Sequence, residues 1–298
     1  MMISTGLFVD SLWTRSGDAE GNPMHRPLTR ERVADTAGPV QLEPLCGMVA
    51  SHDWHLDRQV VERGAIVDPE NRALLLNSVE NRAQVRSMLA QVPASLSDEN
   101  MAGENVVVRG GVTSDLLCVG DLLAVQRGSA VVARFRVASP RWPCYKFDRR
   151  HGQRGSKEAK ESGHSVQVAC VDSGLGGVFV RVLEAGTIAV GDELIVLERP
   201  LPHLTLRRVS QLCYGGSASR ISCSIDDFNG SDGDLEDLIA CDWLARFEWR
   251  DRLVAFRERR NRNALESGER LRRRARAVAL ALAVALLLLG ALWRWRQS

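Results

Sequence analysis

The chain has no Cys-x-x-Cys pair, and its seven cysteines are an odd number scattered between Cys46 and Cys241. That spacing excludes a simple zinc ribbon or finger and argues against a disulfide framework, so a reducing compartment is expected. No G-x-S-x-G, no H-E-x-x-H and no neighbouring Ser, His and Asp grouping occurs, which leaves a hydrolase without support. Lysine is scarce, only three of the 39 Lys and Arg residues, and the net charge is +2. Such a balance gives no steering argument for a nucleic-acid partner, and none is expected. The N terminus lacks a basic n-region and has Asp10 where an apolar h-region would run, so no secretory signal is expected there.

What is present is one long apolar run. Residues 277–293, AVALALAVALLLLGALW, contain no charged or strongly polar side chain. As a helix rising ~1.5 Å per residue the run would be ~25 Å long, about enough for a bilayer core. Its apolar residues cover every face, unlike the stripe of a surface helix. Arg270, Arg272, Arg273, Arg274 and Arg276 precede it, and Trp293, Arg294, Trp295 and Arg296 end it. These are interface residues, and the arginines can snorkel to headgroups. The expectation is a single-pass tail anchor with the N-terminal body in the cytosol, because the larger basic cluster lies on that side. The short, alanine-rich span and basic tail are similar to anchors of the mitochondrial outer membrane, with endoplasmic reticulum and peroxisome as alternatives.

Ahead of the anchor the pattern is mainly β. Residues 5–13 suit a strand, and residues 71–92 read as a strand running into a helix. From Asn105 onward six runs read as strands: 106–109, 121–126, 130–138, 165–171, 177–184 and 192–198. Gly110-Gly111, Gly128, Gly174 to Gly177 and Gly186 punctuate them. Six short strands at this spacing predict a barrel or sandwich instead of a doubly wound sheet. Gly174-Leu175-Gly176-Gly177 leads into a strand, so it reads as a tight turn and not a phosphate loop. Residues 211–233 read as a loop, with Ser231 or Asp232 as the N-cap of a following helix. Residues 234–263 carry helical spacing in short segments linking the β body to the anchor.

The most unusual local sequence is Ser139-Pro140-Arg141-Trp142-Pro143-Cys144-Tyr145-Lys146, followed by Phe147, Asp148, Arg149 and Arg150. Each proline fixes its own φ and pushes its predecessor toward extended geometry, so Cys144 is expected on a stiff loop. Arg141, Lys146, Arg149 and Arg150 surround that thiol with positive charge. They favour the thiolate, the form that ligates metals and attacks electrophiles, and they suit a phosphate group.

The run PRWPCYK at 140–146 resembles the signature of the MOSC domain, shared with the C-terminal part of molybdenum-cofactor sulfurases, and in particular its YiiM-like branch. Gly103-Glu104-Asn105 resembles the GEN motif of that family, and Val119-Gly120-Asp121 the turn that follows it. Residues 177–183 with Gly186 and Gly191-Asp192 resemble its G-x-Y-x-R-V-L block. Residues 232–260, with Trp243 and Trp249, are similar to the helical appendage of that branch.

The resemblance implies a MOSC-type β-barrel with flanking helices over 1–205 and a loop and small helical appendage over 206–268, to which the apolar run adds the anchor over 269–298. It implies a molybdenum cofactor, a molybdenum-pterin, with Cys144 as metal ligand or sulfur carrier. Arg141, Lys146 and Arg149 would lie near the pterin phosphate, and Asn105 would hydrogen-bond the cofactor. No haem, flavin or zinc site is evident. The expected activity is reduction of N-hydroxylated compounds, as in the YiiM-like and mitochondrial amidoxime-reducing groups, with electrons from a separate donor protein. Two alternatives stay open. One is a non-redox carrier of sulfur or cofactor on Cys144, served by a PLP-dependent sulfurase in trans. The other is a cofactor-free, membrane-tethered scaffold. It is motivated by Ile66 to Ala73, where the family pattern has His-Gly-Gly-x-Asp and this chain has neither the histidine nor the glycines. Backbone contacts that those glycines permit are not expected on that wall.

Overall fold

The computed structural model describes residues 3–15, 30–33, 38–43, 47–48, 73–93, 96, 101, 103–141, 165–214, 225, 228–245 and 249–295. Its strands are β1 (Ile3–Arg15), β2 (Arg30–Arg32), β3 (Val40–Glu43), β4 (Gly47–Met48), β5 (Leu74–Ser78) and β6 (Val106–Arg109). They continue with β7 (Leu122–Arg127), β8 (Ala130–Pro140), β9 (Val178–Glu184), β10 (Gly186–Ile188) and β11 (Glu193–Glu198). The helices are α1 (Val79–Met88), α2 (Thr113–Leu116), α3 (Val166–Ser173), α4 (Leu206–Tyr214), α5 (Asp232–Ala240) and α6 (Asp251–Trp295).

The strand order is β11-β7-β8-β9-β5-β6-β1-β2, and β1 also pairs with β11, so seven strands close into a barrel with β2 added at β1. Among the described strands only β5 and β6 run parallel, with α1 on the connection between them. A small second sheet, β10-β3-β4, pairs separately and packs against β8 and β9.

The pleat sends alternate residues to opposite faces. Leu74, Val180 and Val137 form one cross-strand row, and Leu76 pairs with both Val178 and Val106 in another. All six are fully buried. The intervening row, Ser139, Phe179 and Leu75, takes the opposite face. There Leu75 and Phe179 join Val85 and Leu89 from α1 and its end, and Val166 and Cys170 from α3, in a second apolar cluster. The barrel therefore has an inner core and an outer one beneath helices.

Two expectations about elements need correction. Residues 165–171 are helical, not a strand. Ser165 caps α3 by accepting from the Val168 N–H, and Gly174 ends it in the left-handed region at φ 69°. The sheet also has no vacancy for such a strand, because β8 already pairs with β7 and β9, and β9 with β8 and β5. The loop expected over 211–233 is helical up to Tyr214, where Leu206, Val209, Leu212 and Cys213 repeat at helical spacing and are buried. By contrast the strand-to-helix reading of 71–92 matches β5 and α1, and Ser231 is the N-cap of α5 in a capping box with Asp234.

The chain divides into two compact units, Met1–Leu253 and Val254–Ser298. The second holds the continuous helix α6 from Val254 onward, whose residues 269–282 are all exposed. Among the described residues, no helix is long and apolar enough to cross a membrane. Of the run expected to span, the side chains of residues 283–291 lie outside the described set.

Candidate functional site

Cys144, Lys146 and Arg149 lie outside the described residues, whereas Arg141 and Asn105 lie within them. The segment carrying the cysteine leaves the barrel at the end of β8. There the Arg141 N–H donates to the Gly177 carbonyl at 2.8 Å. Gly177 needs to be glycine: its φ is 95°, and a Cβ there would stand 3.0 Å from the Leu76 carbonyl. The chain is next described at Ser165, which is buried and caps α3. The following Val166 packs in the cluster with Phe179 and Leu75. Both ends of the segment are thus fastened beside one cross-strand row, Ser139–Phe179–Leu75.

Asn105 extends that row. Its amide N–H donates to the Leu75 carbonyl at 2.8 Å, and the Trp13 N–H donates to its own carbonyl at 2.9 Å. Its side-chain Oδ1 accepts from the Leu75 N–H at 2.9 Å. Half of the carboxamide expected to serve a cofactor is therefore engaged in joining β5 to β6. The other half, Nδ2, is buried without a hydrogen-bond partner among the described residues, as is Ser139 Oγ across the row. A buried donor left unpaired costs about 1–3 kcal/mol, so two such groups on the row that fastens the Cys144 segment mark a place suited to a polar ligand.

Next to Asn105 lies a polar network that sequence reasoning missed. Glu104 is fully buried and accepts from Asn77 Nδ2 at 2.9 Å. Asn81 Nδ2 donates to Asn77 Oδ1 at 2.7 Å and to Thr113 Oγ1 at 2.9 Å. Ser114 Oγ donates to the Gly174 carbonyl at 2.7 Å. These bonds tie β5, α1, α2 and the turn after α3 to the GEN segment. The available signal was Ser78 three residues before Asn81, an N-cap spacing that begins α1.

The described cysteines are poor nucleophiles. Cys118, Cys170, Cys213 and Cys241 are all buried. Burial pushes the Cys118 thiol up to about 11 and raises Cys213 and Cys241 as well, so little thiolate forms on them at neutral pH. Among the described residues, no group of three or more His, Cys, Asp or Glu could hold a metal ion. A metal carried by its own organic ligand, with one protein thiolate added, does not need such a group.

A concavity of about 600 Å³ is lined by Arg136, Glu198, Arg199, Asp237, Asp242 and Trp243 among others. Its charges satisfy one another. Arg199 pairs with the buried Asp121 at 2.8 Å, Arg136 with Glu198 at 3.4 Å and Arg250 with Asp242 at 3.1 Å. The Arg136 and Arg181 guanidinium carbons lie 4.7 and 5.9 Å from the centroid of the Trp243 ring. Trp249, fully buried, meets Tyr214 edge-to-face at 5.4 Å. This region fastens the appendage to the barrel and offers a ligand little unpaired charge.

The MOSC domain model matches residues 38–195, more than half of the chain. A protein named Reductase from Gibberella moniliformis is 29% identical over 42% of this chain and 19% of its own length. The uncharacterized protein YflK of Bacillus subtilis is 31% identical over 38% of this chain and 43% of its own. The matches thus span less than half of either curated relative. The crystal structure of YiiM from Geobacillus stearothermophilus superimposes with a TM-score of 0.54 at 16% identity, covering 84% of this chain and 98% of that one, a likeness of fold. The seven-stranded barrel agrees with the family match: the chain belongs to the MOSC domain family.

Proposed function

We propose that this chain binds a molybdenum cofactor and uses it to reduce N-hydroxylated compounds with electrons from a separate donor protein. The observation that carries the reading is the position of the PRWPCYK segment in a MOSC chain. It begins at the Ser139–Phe179–Leu75–Asn105 row, where Asn105 Nδ2 and Ser139 Oγ are buried without described partners. Cys144 would supply the thiolate ligand, a soft donor suited to a metal already held by sulfur. Arg141, Lys146 and Arg149 would pair with the pterin phosphate, and Asn105 Nδ2 would donate a hydrogen bond. Molybdenum, when bound, supplies the two-electron chemistry, while the chain supplies binding, orientation and charge. The reaction balances as two electrons and two protons converting N–OH to N–H and water. The name of the Gibberella relative supports the reductive class.

The same reading makes residues 277–293 a tail anchor with the body cytosolic, the mitochondrial outer membrane first among its addresses. Its support is the uncharged run with arginines at both ends and the unbroken helix α6 that carries it. Tethering beside a membrane-bound donor raises the effective concentration of both proteins.

The test is turnover. Full-length protein from a host that makes the cofactor, mixed with a flavin and haem reductase system, should reduce benzamidoxime or 6-hydroxylaminopurine, and Cys144→Ala should lose most of that rate. A wild-type chain that holds molybdenum but reduces neither compound with any donor would point to the carrier role of Cys144 instead.

A further inference from the structure

We propose that the arginine-rich stretch of α6, from Arg257 to Arg276, is a docking surface for anionic lipid headgroups. Nine arginines and three glutamates occupy this stretch, so pairing within the helix cannot neutralise it. Two of the glutamates form i,i+4 contacts, Glu266 with Arg270 at 3.3 Å and Glu269 with Arg273 at 3.7 Å. Both pairs are well exposed, the kind that contributes little. Arg272, Arg274 and Arg276 add charge within the same two turns, and every residue from 269 to 282 is exposed.

The apolar end of the same helix decides the partner. Val278, Leu280 and Leu282 are 60%, 68% and 60% exposed, and Leu292 and Trp293 are 59% and 63% exposed. A nucleic acid would neutralise the arginines and leave this apolar end in water. A bilayer takes both, phosphate at the arginines and hydrocarbon at the residues beyond. At ~100° per residue, Arg270, Arg272, Arg273, Arg274 and Arg276 fan over roughly 200° of the helix circumference. That is wider than the single basic face of a helix lying flat on a surface, and it forms a collar that headgroups can surround. The headgroup preference rests on the proposed membrane anchor and adds to it the lipid charge that the chain selects.

The experiment is co-flotation of the full chain, diluted from detergent, with vesicles of phosphatidylcholine alone or of phosphatidylcholine doped with phosphatidylserine. About tenfold or greater recovery on the anionic vesicles is expected, falling toward the neutral level in high salt because exposed charges are screened. The combined variant Arg272→Gln, Arg273→Gln, Arg274→Gln and Arg276→Gln should lose the preference and keep binding to both vesicles. Equal recovery of wild type on both vesicles would overturn the lipid-charge inference and leave the anchor standing. No recovery on either would overturn both. Arginine-dependent binding to a DNA duplex without any preference between the vesicles would replace lipid with nucleic acid.

Discussion

Asn105 holds three backbone partners around one residue, and its replacement separates structural from ligand-binding roles. Asn105→Ala removes the acceptor of the Leu75 N–H at a buried position, while the two backbone bonds to Leu75 and Trp13 can persist. The expected cost is about 1–3 kcal/mol, read as a lower urea midpoint in protein without cofactor. A midpoint equal to wild type would mean that the Oδ1 bond contributes nothing. The sequence marked Asn105 through its GEN motif but not its task in joining β5 to β6. That task depends on the parallel register that sets Leu76 beside Val106, and a register between strands some 30 residues apart leaves no local signal. The same holds for Glu104 and Asn81, whose burial follows from packing of α1 and α2 over the strands. Arg207 was equally silent in sequence, yet it pairs with Asp115 and donates to Gln84 Oε1 and the Ser173 carbonyl, clamping α4 to three other helices.

At the scale of elements, alternating Val and Leu with glycine punctuation was enough to locate most of the barrel strands, since half-buried strands carry a period of two. It misplaced α3 because Ser-Val-Gln-Val-Ala-Cys-Val alternates too. The deciding features, a serine cap and a glycine stop, are short-range signals that the alternation masked. At α5 the local signal prevailed. Ser231 Oγ accepts from the Asp234 N–H at 3.1 Å, and the Ser231 N–H donates to Asp234 Oδ2 at 3.0 Å. Ser231→Ala should cost about 1 kcal/mol, measured by thermal or urea unfolding. The Ser231 N–H holds the Asp234 carboxyl below its ordinary range, with lesser help from the Ser231 side chain, Arg208 and His203. A depressed folded pKa stabilises above the unfolded value of ~3.9 and loses that contribution as pH falls through the folded one. The deficit of Asp234→Ala, which removes the carboxylate that the Ser231 N–H donates to, should therefore be full at neutral pH and narrow below about pH 4. A deficit that is constant down to acid would show that the box does not depend on the carboxylate.

For the molecule as a whole, the MOSC barrel places the start of the PRWPCYK run, Pro140 and Arg141, at the end of β8. The closed sheet leaves β8 and β9 as neighbours whose linking segment must depart and return over the same row, and the cysteine lies on that segment. Family membership was legible because its signature is contiguous, PRWPCYK. The row at which the signature begins was not, because Ser139, Phe179, Leu75 and Asn105 meet only when four strands align. The central claim is that this row and Cys144 together hold molybdenum, and elemental analysis tests it most directly. Full-length protein purified in detergent from a cofactor-producing host should carry stoichiometric molybdenum, and Cys144→Ala should carry far less at the same fold stability. Wild-type protein free of molybdenum, from a host in which a known molybdoenzyme is loaded, would contradict the account.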